Sequence, residues 1–134
     1  HNALMNTIRD IERVGDHTEN IIELLELRSE KKVHMSEEAI GELNEMFSLT
    51  LETLKDAMKS LMEQDKELAN TVLMKEKKID EMERTLRKTH IGRMNEGVCT
   101  GDAGVIFVDI ASNLERIGDH AVNIAEVVLE ETDA

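Results

Sequence analysis

Phe107, Ile110, Leu114, Ile117, Ala121, Ile124 and Val128 follow one another at steps that alternate three and four residues without a break. That spacing puts every one of them on one face of an α-helix and is the left-handed packing seam of helical bundles. A strand would scatter them over both faces of a sheet. Three more segments carry stripes of the same kind. The first holds Leu4, Ile8, Ile11, Val14, Thr18, Ile21 and Leu25, and the second Ala39, Leu43, Met46, Phe47, Leu51, Leu54, Met58 and Leu61. The third holds Leu68, Val72, Ile79, Met82 and Leu86. The chain has no Pro or Trp and only two aromatic residues, Phe47 and Phe107, which suits helix rather than sheet.

The boundaries follow from local chemistry. Ser36 can cap a helix whose first turn holds Glu37 and Glu38, where acids favour the positive end of the helix dipole. Asp65 can cap the next helix, Gly97 supplies a left-handed stop, and Gly101, Asp102 and Gly104 mark the last entry. The helices are therefore expected at about residues 3–29, 36–63, 66–96 and 102–131. Short polar connections make successive helices antiparallel. The expected fold is all-α: an up-and-down antiparallel bundle of four long helices, in one domain over residues 1–134.

The net charge of −13 repels nucleic acid and anionic lipid, so cations and basic partners are favoured. No apolar run approaches the roughly 18 residues of a membrane span, and no leader opens the chain. A single cysteine, Cys99, fits a reducing compartment better than secretion. The chain starts abruptly inside a helical pattern and reads as part of something larger.

One segment is written twice. Ile11 to Leu24 and Leu114 to Val127 share eight of fourteen residues at a spacing of 103: Glu12, Arg13, Gly15, Asp16, His17, Asn20, Ile21 and Glu23, with Glu115, Arg116, Gly118, Asp119, His120, Asn123, Ile124 and Glu126. Unrelated helices would share about one or two, so this is internal repetition. Most of the repeated residues are polar, whereas packing alone would preserve the apolar ones. Within each copy a Glu and an Asp stand four apart, one helical turn, close enough to chelate one ion or bridge two. The spacing alone proves little, because 29 acids in 134 residues give roughly six such pairs by chance. Its weight comes from the repeat.

On the last helix Asp119 and Glu115 point well away from the apolar stripe, which predicts a site on the bundle surface and disfavours a buried di-iron centre. Folding the last two helices about residue 98 sets Glu76 opposite about 120 and Asp80 opposite about 116, with Glu83 nearby. The same arithmetic about residue 33 sets only Leu49 and Thr53 opposite Asp16 and Glu12. The second copy therefore has an acidic partner helix and the first has none.

With these residues in view the chain resembles the PhoU family of phosphate-transport regulators, whose three-helix repeats carry a Glu/Asp-x-x-x-Asp motif in a Glu-Arg-Ile-Ala-Asp-His-Ala-like helix. Glu115 to Ala121 matches nearly letter for letter and Glu12 to His17 closely. The resemblance implies that helices two to four form one complete repeat and helix one is the last helix of a preceding repeat. It also implies surface iron or zinc, single or multinuclear, with Glu12, Asp16, Glu115 and Asp119 as ligands and Glu76 and Asp80 joining them. Gly15 and Gly118 depart from the family's usual Ala.

This Gly form looks more like the PhoU-like regions of bacterial sodium/phosphate cotransporters, so the first functional expectation is a metal-binding regulatory portion of such a transporter, at the cytoplasmic face of the plasma membrane. The alternatives are a free-standing PhoU-type regulator of phosphate uptake and a metal-independent acidic helical module that docks a basic partner. A metal-dependent hydrolase is the weakest reading, because no nucleophile is paired with a base, and the chain is not expected to be an enzyme. The partners implied are a membrane transporter portion, in the same chain or another, a signalling protein, and a second copy of the chain. Nucleic acid is not among them. Arg13 and Arg116 read as ion-pair partners that orient the carboxylates. His17 and His120 read as surface histidines, and Asn20 and Asn123 as contacts either to metal-bound water or to a neighbouring helix.

Overall fold

The computed structural model describes residues 2–97 and 100–131; Cys99 lies outside them. Four helices follow in order: α1 (Asn2–Glu30), α2 (Glu37–Glu63), α3 (Lys66–Asn95) and α4 (Gly101–Glu131). They form an all-α, up-and-down antiparallel bundle.

The ends are set by the residues named above. Ser36 is extended, and its hydroxyl oxygen accepts from the Ala39 amide at 3.1 Å. The Asp65 carboxylate accepts from the Leu68 amide at 3.1 Å, which satisfies one of the amides a helix start leaves unpaired. Gln64 closes α2 in the left-handed region at φ 52°, so two residues suffice to reverse the chain into α3. Gly97 has φ +75° and ends the α3 turn.

Packing is uneven. α2, α3 and α4 touch one another, whereas α1 lies along α4 alone. The core is correspondingly built from the last three helices. Met46, Ile79, Leu86, Phe107, Ile110 and Leu114 fill one end, and Ala57, Ala69, Val72, Ala121, Ile124 and Val128 the other. His90 is buried and stacks on Phe107 with ring centroids 4.5 Å apart. Gly104 makes that possible: a Cβ there would stand 2.3 Å from Met94 Sδ and 3.1 Å from His90 Nε2.

The α4 stripe is buried as its spacing predicts. The α1 stripe is covered only in part, at Val14 and Ile21. Leu4 is 64% exposed and Ile8 and Ile11 are each 44% exposed, and on α2 Phe47 and Leu51 are also partly exposed. The cause is the placement of α1, which turns Thr7, Asp10, Val14 and His17 toward α4 and leaves Leu4, Ile8, Ile11 and Leu25 to one side. The expected hairpin of α1 on α2 is therefore absent, and Thr53, expected opposite Glu12, is wholly buried in the three-helix core.

Candidate metal centre

The two copies of the repeated segment meet back to back. His17 and His120 stack with ring centroids 5.5 Å apart and planes 25° from parallel. On one side the Nδ1–H of His17 and the Asn20 amide both donate to Asn113 Oδ1, at 3.2 and 3.3 Å. On the other, the Nδ1–H of His120 and the Asn123 amide both donate to Asp10 Oδ1, at 2.9 and 3.1 Å. Asp10 and Asn113 are themselves 103 residues apart, so the α1–α4 seam has an approximate two-fold axis. The repeated His and Asn residues join two helices. Asp10 and Asn113 were missed in the sequence because the repeat was read from Ile11 and Leu114. Beginning one residue earlier pairs an acid with its isosteric amide.

The repeated carboxylates face away from this seam. On α4, Glu115 and Asp119 meet Glu76 and Asp80 of α3, and one oxygen from each of the four lies within 4.8 Å of the others. Glu76 and Asp119 approach each other, as do Asp80 and Glu115, within a residue of the hairpin register. Glu76, Asp80 and Glu115 are partly buried and Asp119 is exposed, so the cluster lies in a surface groove between helices.

Four carboxylates at this range repel one another when all are ionised. Burial, and then the neighbouring Asp80 and Asp119, push Glu76 up to about 8. Burial, again with Asp80 and Asp119, pushes Glu115 up to about 8. Asp80 Oδ1 is shut away from solvent and no N–H or hydroxyl donor reaches it. Only a proton on a neighbouring carboxyl group, or a cation, can satisfy that oxygen.

Among the described residues no Lys or Arg forms an ion pair with these four carboxylates. Lys75 pairs with Glu52 and Asp56, Arg87 with Glu83, and Arg93 with Glu38 and Glu42. Among the described residues no ion pair ties Arg13 or Arg116 to the carboxylates, contrary to expectation; Arg116 instead lines a groove with Asn20, Glu23 and Asn113. The donor set fits a hard or borderline divalent cation, because opposed oxygens around one such ion lie about 4–5 Å apart.

Glu12 and Asp16 are both exposed and stand outside this cluster. Their face of α1 meets no other helix. The two glycines of the repeat report the same asymmetry. A Cβ on Gly118 would stand 3.3 Å from Ile79 Cδ1, whereas one on Gly15 would have nothing within 4 Å.

An acidic inter-helix groove on an antiparallel bundle is thus the class of site this fold presents. The PhoU domain profile matches residues 43–128, and the chain belongs to the PhoU family. It is 38% identical to a phosphate-specific transport system accessory protein PhoU homolog 1 of Thermotoga maritima, over 95% of this chain and 54% of that protein. It is 34% identical to the PhoU homolog of Clostridium acetobutylicum over 69% of this chain and 44% of that one. Against the Streptococcus pneumoniae homolog the figures are 28%, 92% and 56%. The chain spans about half the length of the curated relatives it matches. No solved structure matches it. No helix among the described residues is long and apolar enough to cross a membrane.

Proposed function

We propose that this chain is a metal-binding regulatory domain of a phosphate-specific transport system, acting on the cytoplasmic side of the plasma membrane beside the transporter. The observation that carries it is the convergence of Glu76, Asp80, Glu115 and Asp119, with no ion pair to Lys or Arg among the described residues, in a chain of the PhoU family. These four would hold a divalent cation, iron or zinc by family resemblance. The ion would offset two of the four carboxylate charges and clamp α3 to α4. Glu12 and Asp16 offer a second carboxylate pair, which a further helix would have to complete.

The named relatives are accessory proteins of phosphate transport systems. That supports a regulator beside the transporter over a portion of a sodium/phosphate cotransporter, the reading drawn first from the Gly form of the motif. A metal-independent acidic docking module gives no reason for four acids to be gathered where Asp80 Oδ1 has no donor. The role is regulatory rather than enzymatic.

The test is complementation in a bacterium deleted for its own PhoU-type accessory gene, read by a phosphate-responsive reporter. Expression of this chain should restore repression in phosphate-rich medium, and Asp80→Ala with Asp119→Ala should not. A reporter that stays derepressed with the wild-type chain present and folded would reject the regulatory reading.

A further inference from the structure

Gly118 stands between Glu115 and Asp119 in sequence, and Ile79 stands between Glu76 and Asp80. The two meet. A Cβ added at Gly118 would lie 3.3 Å from Ile79 Cδ1, 3.6 Å from Ile79 Cγ2 and 3.8 Å from Glu76 Cγ. Ile79 is fully buried and packs in the core with Met46, Phe107 and Leu114. It therefore fills a notch in α4 that exists because position 118 has no side chain. The four carboxylates surround that contact, two from each helix. How closely the helices approach there fixes how far apart the two carboxylate pairs stand.

We infer that Gly118 is a positioning residue for the metal centre: by admitting Ile79 it sets the α3–α4 separation that brings Glu76 and Asp80 within chelating range of Glu115 and Asp119. This rests on the metal-binding reading above. A methyl group at 3.3 Å from Ile79 Cδ1 is tighter than ordinary contact, so Ile79 must give by a few tenths of an ångström, and its burial in a packed core resists that movement within the side chain. The displacement falls on α3, and with it on Glu76 and Asp80. Coordination tolerates only about 0.2 Å of error in ligand distance, so affinity should register a shift that folding barely notices. The repeat supplies an internal control. Gly15 occupies the same motif position on a helix face that nothing covers, and there Ala should only improve the helix, by about 1 kcal/mol.

The experiment is a Mn²⁺ titration followed by electron paramagnetic resonance of the free ion, on the wild-type chain, Gly118→Ala, Gly15→Ala, and Gly118→Ala combined with Ile79→Val. Urea unfolding of the metal-free proteins runs in parallel. Gly118→Ala should weaken Mn²⁺ binding about tenfold, the scale of change when a group supporting metal ligands is altered. Trimming Ile79 to Val in that background should restore most of the loss, and Gly15→Ala should leave affinity within twofold. If the wild type binds no Mn²⁺, the metal reading and this inference both fall. If the wild type binds and Gly118→Ala binds equally well, only the inference falls. A weakening that Ile79→Val does not rescue, or that merely follows a loss of stability in urea, also overturns it.

Discussion

Glu76 and Glu115 give the metal-free protein an unusual dependence on pH. Both are raised to about 8, chiefly by burial and then by the acids around them. In the unfolded chain each would ionise near the usual glutamate value of about 4.3. Between those limits the folded protein holds more protons than the unfolded one, so stability falls as pH rises. Urea midpoints measured in chelator should drop from pH 5 to pH 8, and Glu115→Gln should flatten that slope. A cation reverses the sign by displacing the same protons, so metal affinity should rise over this window. These acids were legible in the sequence, because a repeat picked Glu115 and Asp119 out of 29 acids and hairpin arithmetic added Glu76 and Asp80. The role of Arg116 was not. Adjacency in sequence places it beside Glu115, but on a helix adjacent residues do not face each other.

At the scale of helices, sequence periodicity separates apolar from polar faces but does not say which neighbour covers a face. The α4 stripe met two helices, whereas on α1 only Val14 and Ile21 of the stripe are partly covered and Leu4, Ile8 and Ile11 stayed exposed. The orientation of α1 is instead held by the polar seam, where Asp10 accepts from His120 and Asn123. Asp10→Ala leaves both donors without a partner in a half-buried seam, which should cost about 1–3 kcal/mol in the docking of α1. The change should register as faster amide exchange along α1, with α2, α3 and α4 unchanged, because those three build the core and α1 only lays Ile21 and Leu24 against its edge. Uniform loss of protection over all four helices would contradict that division.

For the molecule as a whole, the distribution of packing matches the distribution of chemistry. The half of the repeat that is covered, on α4, has a close helix contact, an acidic partner pair and a shielded carboxylate oxygen. The half on α1 has the same letters and none of these surroundings. Identical residues thus acquire different chemistry from what packs against them, which is why the sequence could nominate both copies while the fold, among the described residues, assembles one cluster. The central claim is that this cluster is a cation site. Equilibrium dialysis of the purified chain against Fe²⁺ or Zn²⁺, followed by elemental analysis, tests it directly. At least about one ion per chain should be retained at pH 8 by the wild type, and Glu115→Ala with Asp119→Ala should retain almost none. Retention by the wild type of under about a tenth of an ion per chain, or equal retention by the double variant, would contradict it.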